Sequence, residues 1–155
     1  MNWDKVYDIV FVGAGTAGLA GAIQAVKNGD KPLVLEMAKP GEFRSSLSVI
    51  AGVMNFVGTK YQKELGIEDS AEQYALDLVN NCGGDYDLCK AMTEQLDRTL
   101  AFVENDLGLI PTGVIGGSGH SVRRCHLFDG PKVIGRLEEK ALEMGVEIVW
   151  ETLGK

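Results

Sequence analysis

The amino-terminal residues show two strand-like runs separated by a helical stripe. Residues 6–12 are mostly β-branched or aromatic and lack a regular polar alternation, which predicts a strand buried on both faces, as in a parallel sheet. Residues 16–28 carry apolar side chains at helical spacing, and residues 32–36 predict a second short strand. A strand, a helix and a strand in this order predict a right-handed βαβ unit with parallel strands.

The middle of the chain is expected to consist of loops and helices. Residues 37–60 hold dispersed glycines and no helical stripe, so we predict a long loop that faces a ligand, and the glycine-rich residues 107–120 predict another loop. Ser70 begins a helix in which Gln73 predicts a capping box. The next helical stretch starts near Asp85, and we expect its apolar stripe to lie in the core. The stripe consists of Leu88, Met92, Leu96, Leu100 and Val103.

The carboxy-terminal residues predict a return to the sheet. Residues 131–144 form an amphipathic helical pattern and residues 146–151 a third strand. The sequence therefore predicts an α/β fold, with an incomplete Rossmann-like parallel sheet and a helical insertion. In this division, residues 1–57 and 126–155 are the Rossmann-like segments, and residues 58–125 are the mostly helical insertion.

Composition and charge narrow the range of partners. The chain has 155 residues, of which 45% are hydrophobic, and a formal net charge of −7, which is ordinary for one soluble globular domain. Because an acidic chain repels phosphate backbones and anionic membrane surfaces, we expect neither a nucleic acid nor a membrane as a partner. A small anionic ligand in a locally favourable pocket is compatible with this charge.

The cysteines and the amino-terminal region indicate a cytoplasmic protein. Cys82, Cys89 and Cys125 form no CxxC pair, which favours reduced thiols over a metal site or a disulfide. The apolar residues 9–23 are fewer than the roughly 20 that a membrane helix needs. Their acidic flank also differs from the basic start of a signal peptide. We therefore expect a cytoplasmic location and no metal.

The strongest chemical signal is the glycine loop between the first strand and the first helix. Gly13 permits the sharp turn, Gly15 lets the backbone approach a pyrophosphate, and Gly18 lets the helix pack closely on the sheet. The start of the helix offers unpaired N–H groups and a partial positive charge to phosphates. Glu36 would accept hydrogen bonds from a ribose hydroxyl and repel a 2′-phosphate. These residues predict an adenine dinucleotide other than NADP and leave FAD and NAD as alternatives.

Further segments resemble one flavoprotein family. The resemblance rests on four stretches that follow in order across most of the chain: YDIVFVGAGTAGLAGAIQA, VLEMA, AGVMNFVGTKYQKELGIEDSAEQYALD and GRLEEKALEMGVEIVWET. They resemble the amino-terminal part of the fumarate reductase and succinate dehydrogenase flavoproteins. The similarity is greatest to the flavocytochrome c-like and unsaturated-acid reductases, and the 3-oxosteroid dehydrogenases are more distant relatives. The resemblance implies FAD as the cofactor, in a glutathione reductase-like FAD-binding fold.

The resemblance also implies which residues contact FAD. It places residues 45–55 along the pyrophosphate and the flavin ring, where Ser46 can donate to a phosphate and Gly52 permits close approach to the ring. The expected FAD-binding residues are Gly13, Gly15, Thr16, Ala17, Gly18, Glu36, Met37, Ser45, Ser46, Ala51, Gly52 and Met54.

The activity implied by the resemblance is hydride transfer between flavin N5 and an activated carbon–carbon double bond. In this family, a capping substrate domain with the proton-donating arginine and the substrate-binding histidines follows the matched region. We therefore expect the catalytic residues to lie outside this chain, with the rest of the enzyme missing or on a second chain. The alternatives are a truncated product that binds FAD poorly and a non-catalytic nucleotide-binding or interaction module.

Other polar residues fit structural roles better than catalytic ones. His120 and His126 flank a basic segment in which Arg124 and His126 could face a substrate carboxylate, but we expect them to order the loop. Asp85 and Asp87 stand at a predicted helix start, where N-capping explains them.

Overall fold

A computed structural model of the chain describes residues 5–42, 45–46 and 52–154. The elements in chain order are β1 (Ile9–Val12), α1 (Thr16–Lys27), β2 (Pro32–Leu35), β3 (Val53–Asn55), α2 (Lys60–Glu64), α3 (Ala71–Cys82), α4 (Tyr86–Thr93), α5 (Leu96–Ala101), a π-helix (Phe102–Asp106), β4 (Gly113–Ile115), β5 (Cys125–Leu127), α6 (Gly130–Glu143) and β6 (Glu147–Val149). Two compact units result. The first consists of Met1–Gly52 and Asp129–Lys155, and the second of Val53–Phe128.

A parallel sheet forms the centre of the first unit. β2 lies between β1 and β6, and all three strands run in the same direction. Val10 is paired with Leu33, and Val34 with Ile148. The predicted βαβ unit and the return of the third strand to the sheet are thereby confirmed.

Helices α1 and α6 supply the core on one side of this sheet. α1 contacts β1 and β2, and α6 packs against α1. Val34, on the helix-facing side of β2, is fully buried. The buried helical side chains are Leu19, Ala22, Ile23 and Ala25 in α1 and Val133, Ile134, Leu137 and Ala141 in α6. Asp129 caps α6 by accepting a hydrogen bond from the N–H of Lys132 (3.1 Å).

The prediction that the first strand is buried on both faces is wrong for β1. Val10 and Val12 are 48% and 74% exposed. Side chains alternate between the two faces of a strand, so these valines lie opposite Phe11, whose ring contacts α1 at Gly21. Within the described residues, no helix of the first unit covers the face of Val10 and Val12, because α1 and α6 both lie on the other side.

The second unit combines helices with an antiparallel sheet in the order β3-β5-β4. Met54 and Val114 both pair with His126 in this sheet. The predicted loops at 37–60 and 107–120 are therefore wrong in part, because each contains a strand. A strand of three residues carries too little periodicity to be recognised, and the hydrogen bonds of β3 and β4 depend on β5, which is distant from β3 in sequence.

Two helices of the second unit begin with caps. The Ser70 hydroxyl accepts from the N–H of Gln73 (3.1 Å), but the Gln73 side chain donates to Ser121, so the predicted capping box is only half formed. A complete capping box instead joins Thr59 and Gln62 at the start of α2. It went unpredicted because the surrounding residues gave no helical stripe.

The apolar stripe from Leu88 onward is interrupted. α4 ends at Thr93, and α5 and the π-helix follow after a break. Leu88 and Met92 are 72% and 48% exposed, whereas Val103 is buried. The expectation of a continuous core stripe is wrong for Leu88 and Met92, because residues before and after the break no longer share one face. The predicted N-cap at Asp85 is confirmed, since its carboxylate accepts from the N–H of Leu88 (3.0 Å).

Candidate dinucleotide-binding site

The glycine loop joins β1 to the N-terminus of α1. Gly13 has a φ of 104°, a conformation that favours glycine, and its N–H donates to the carbonyl oxygen of Leu35 (2.7 Å). Gly15 is the N-cap residue of α1, and its carbonyl oxygen accepts from the N–H of Leu19 (3.0 Å). The loop is thus held between the end of β2 and the first turn of the helix.

Gly18 and Gly21 of α1 each avoid a different steric clash. A Cβ at Gly18 would lie 2.0 Å from the carbonyl oxygen of Gly13, so Gly18 allows the turn itself to close. A Cβ at Gly21 would lie 2.5 Å from Cε1 of Phe11. The close packing of α1 on the sheet, which was predicted to depend on Gly18, therefore depends more directly on Gly21.

Gly15 has no such structural reason to be glycine. Its φ is −77°, which any residue can adopt, and an added Cβ would meet no protein atom within 4 Å. The space beside Gly15 is therefore open. A ligand that approaches the backbone here would explain the missing side chain.

The first turn of α1 provides donors next to this space. The N–H groups of Thr16, Ala17 and Gly18 belong to the part of a helix that has no intrahelical acceptors. The Thr16 side chain is half-buried and that of Ala17 is exposed. Together with the positive end of the helix dipole, these donors suit a phosphate group.

Backbone N–H groups hold both carboxylate oxygens of Glu36. Oε2 accepts from the N–H of Ala14 in the glycine loop (2.6 Å), and Oε1 accepts from the N–H of Ala38 (2.8 Å). The two bonds fix the carboxylate between the loop and the end of β2. Because each carboxylate oxygen can accept more than one hydrogen bond, Glu36 can still bind hydroxyl groups of a ligand.

Two cavities of the first unit share Gly15 and Glu36 in their walls. One has a volume of 370 Å³, and its lining includes Gly13, Gly15, Glu36, Met37, Thr152 and Leu153. The other has a volume of 50 Å³, and its lining includes Ala14, Gly15, Glu36, Ser45 and Trp150. The glycine loop, the end of β2 and the chain after β6 therefore contribute to the walls of both cavities.

The other residues predicted to contact FAD come from the segment between β2 and β3 and from β3 itself. Ser45 is buried and Ser46 is exposed. Gly52 is buried and has a φ of 67°, whereas Ala51 lies outside the described residues. Met54 belongs to β3 of the second unit.

The residues after β6 that line the larger cavity were not predicted from the sequence. Thr152, Leu153 and Gly154 follow the third parallel strand, and Ala38 follows the second. The signal that could have identified them is topological, since ligands of parallel α/β sheets bind beyond the carboxyl ends of the strands.

Arg124 lies in an ion cluster of the second unit. Its side chain is fully buried and donates to Asp69 through Nε (3.0 Å) and Nη2 (2.8 Å), and to Asp77 through Nη1. The guanidinium also lies 4.5 Å from the centre of the Tyr74 ring. Burial disfavours the ionised Asp77, but hydrogen bonds from Ser121 and Arg124 outweigh it and lower the pKa of this carboxyl.

His126 is fully buried beside this cluster. Its Nδ1 lies 2.8 Å from the carbonyl oxygen of Arg124, and its Nε2 lies 2.9 Å from Oγ1 of Thr59. The carbonyl oxygen can only accept, so Nδ1 carries a proton. Burial lowers the pKa of His126 below its ordinary value. The neutral ring therefore joins β5 to the start of α2.

The described residues contain no group of three or more His, Cys, Asp or Glu side chains arranged to hold a metal ion. In the same part of the chain, no helix has the length and apolar character needed to cross a membrane.

A model of the FAD binding domain family matches residues 8–153. The chain belongs to this FAD-binding domain family. Its cofactor is therefore FAD, which resolves the choice between FAD and NAD that the glycine loop left open.

This FAD-binding domain has relatives among reductases of unsaturated acids. It is 39% identical to the urocanate reductase of Eggerthella lenta over 86% of its own length and 23% of that protein. It is 30% identical to the NADH:fumarate oxidoreductase of Klebsiella pneumoniae over 96% of its own length and 16% of that protein. The chain thus spans about a quarter or less of these relatives, and it is homologous to part of a flavin-dependent oxidoreductase.

Solved structures show the same fold. The open conformation of a flavocytochrome c3 fumarate reductase superimposes with a TM-score of 0.84 at 29% identity, over 96% of this FAD-binding domain and 27% of that chain. The 3-ketosteroid-Δ4-(5α)-dehydrogenase of Rhodococcus jostii RHA1 also gives a TM-score of 0.84, at 21% identity, over 97% of this chain and 39% of that one. The α/β fold class is confirmed.

Proposed function

We propose that this chain is the FAD-binding portion of an enzyme that reduces or forms an activated carbon–carbon double bond, as the fumarate and urocanate reductases do. Bound FAD would supply hydride transfer at flavin N5. The chain itself binds and orients the cofactor. This assignment draws on the family membership and on the unsaturated-acid reductases among the relatives.

The observation that carries the proposal is the open space at Gly15. Neither backbone conformation nor packing requires a glycine at this position, whereas Gly13 and Gly18 have structural reasons. A pyrophosphate bound beside the backbone, and stabilised by the N–H groups of residues 16–18, would explain why this position has no side chain.

The other contacts follow from this position of the pyrophosphate. Glu36, held in place by Ala14 and Ala38, accepts hydrogen bonds from the hydroxyls of the adenosine ribose. Met37 lies beside the adenosine portion, and Ser45 and Ser46 assist at the phosphates. Toward the flavin we assign Ala51, Gly52 and Met54 on the basis of the family resemblance.

The complete enzyme requires parts that relatives carry beyond the matched region. We propose that the rest of the flavoprotein, either missing from this sequence or carried on a second chain, supplies the substrate-binding and proton-donating residues, and that the substrate is a small unsaturated molecule. We also propose a cytoplasmic location, which the three free thiols Cys82, Cys89 and Cys125 support. Cell fractionation with an antibody against the chain tests the location.

The substitution Gly15→Val tests the FAD site. Its side chain occupies the space proposed for the pyrophosphate, so we expect FAD to bind more weakly by at least about 100-fold, or about 2.7 kcal/mol. Flavin fluorescence titration measures the affinity, and circular dichroism checks that the variant is folded. Gly135→Val in α6 is the matched control, because Gly135 also has open space around it. Wild-type flavin occupancy in a folded Gly15→Val variant would rule out the assigned position.

A further inference from the structure

Glu151, two residues after the end of β6, has a left-handed backbone conformation. Its φ is 53°, and among the described residues it is the only one other than glycine with a positive φ. A Cβ crowds the backbone in this conformation, so residues other than glycine, asparagine and aspartate rarely adopt it. Such strain persists only where the surrounding structure holds the residue in place, and it is concentrated at binding and catalytic sites.

Glu151 is an extra residue in the pairing between the chain after β2 and the chain after β6. The N–H of Glu36 donates to the carbonyl oxygen of Val149 (2.9 Å), which continues the parallel register of Leu35 with Val149. In that register the carbonyl oxygen of Glu36 would accept from the N–H of residue 151, but it accepts from the N–H of Thr152 instead (2.9 Å). One residue is thus inserted, as in a β-bulge, a feature that re-aims side chains beside active sites.

The inserted residue is also connected to the carboxylate of Glu36. The N–H of Glu151 donates to the carbonyl oxygen of Ala38 (3.1 Å), and the N–H of Ala38 donates to Oε1 of Glu36 (2.8 Å). After the bulge, Thr152 and Leu153 line the cavity of 370 Å³ together with Glu36. The Glu151 side chain is exposed, and it is not among the described residues that line this cavity. Its contact with the site therefore runs through the backbone.

We propose that Glu151 is a positioning residue of the FAD site, whose left-handed backbone holds Ala38 and thereby fixes the Glu36 carboxylate for the adenosine ribose. The inference rests on the proposed function, in which Glu36 binds the ribose hydroxyls. It assigns the effect to the backbone conformation at position 151 and not to the carboxylate of this residue.

Substitutions that remove the same carboxylate separate the two causes. Valine is branched at Cβ and disfavours the left-handed conformation, whereas glycine adopts it freely and asparagine tolerates it. We expect Glu151→Val to bind FAD about tenfold more weakly, or by about 1.4 kcal/mol. Glu151→Gly and Glu151→Asn should bind FAD with wild-type affinity. Flavin fluorescence titration measures the affinities, and circular dichroism checks that each variant is folded.

A double-mutant cycle tests whether Glu151 acts through Glu36. Glu36→Ala removes the carboxylate that Ala38 holds. In this background, Glu151→Val should weaken FAD binding by less than about threefold, because the contact that it disturbs is already lost. A general loss of stability would give the same factor in both backgrounds, and that result would overturn the positioning role.

The outcomes distinguish this inference from the FAD site itself. Gly15→Val that loses FAD, together with Glu151→Val that binds it normally, would overturn the role of Glu151 and leave the site intact. Equal weakening by Glu151→Val and Glu151→Gly would assign the effect to the lost carboxylate and would also overturn it. If Glu151→Val does not fold, Glu151→Asn decides, since wild-type affinity supports the role of the backbone and weaker binding contradicts it. Wild-type flavin occupancy in a folded Gly15→Val variant would instead contradict the FAD site.

Discussion

Gly18 approaches Gly13 so closely that a Cβ on Gly18 would lie 2.0 Å from the carbonyl oxygen of Gly13. The contacted atom belongs to the backbone and cannot rotate away. We therefore expect Gly18→Ala to lower the free energy of unfolding by about 3 kcal/mol. Urea denaturation measures the change. Gly135→Ala, in a helix with open space, should instead raise stability by up to about 1 kcal/mol. Equal effects of the two substitutions would contradict the proposed closure of the turn.

Glu36 binds the loop and, as we propose, the ribose. Glu36→Gln keeps an oxygen that can accept from the N–H of Ala14 but removes the charge. We expect FAD to bind about tenfold more weakly, or by about 1.4 kcal/mol, because hydrogen bonds to an ionised acceptor are stronger than those to an amide. Fluorescence titration tests this, with Glu143→Gln on α6 as the control. An unchanged dissociation constant would remove Glu36 from the ribose site.

Arg124 neutralises two aspartates in the second unit. Replacement of Arg124 by methionine removes the cation that neutralises the carboxylates of Asp69 and Asp77 inside the protein. We expect a loss of about 3–5 kcal/mol in the free energy of unfolding, measured by urea denaturation. Arg136→Met removes a more exposed ion pair with Glu139 and should cost less than about 1 kcal/mol. Similar losses in both variants would show that the burial of Arg124 has no special importance.

His126 makes stability depend on pH. Burial lowers its pKa in the folded state below the ordinary value of 6.5, so the unfolded chain binds more protons as the pH falls. The stabilisation is fully present above about pH 6.5 and is lost as the pH falls through the lowered pKa of the folded state. His120 acts in the same direction, since burial and the charge of Arg124 lower its pKa.

The variant His126→Gln isolates this contribution. Glutamine does not take up a proton in this range, so the variant should lose less stability than the wild type between pH 7 and pH 5. Urea denaturation at both pH values provides the comparison. An identical loss in the two proteins would exclude His126 as a source of the pH dependence.

The parallel sheet could be predicted because its signals are local. β1, α1 and β2 each carry a continuous apolar pattern, and Gly13 and Gly18 stand where the chain must turn between them. The antiparallel sheet of the second unit could not be predicted in the same way. β3 and β4 contain three residues each and obtain their hydrogen bonds from β5.

The candidate site likewise has some features that follow from local sequence and others that depend on the tertiary structure. The sequence alone determined the glycine loop and the acid at position 36, because the backbone conformation at Gly13 and the chemistry of a ribose contact depend on residue type. Only the tertiary structure decided that Ala14 and Ala38 hold the Glu36 carboxylate and that Thr152 and Leu153 complete the cavity. It also decided that Val10 is left exposed. Except for the neighbouring Ala38, the residues that meet around Glu36 come from segments far apart in the chain, and their spacing in the sequence does not reveal that they lie together.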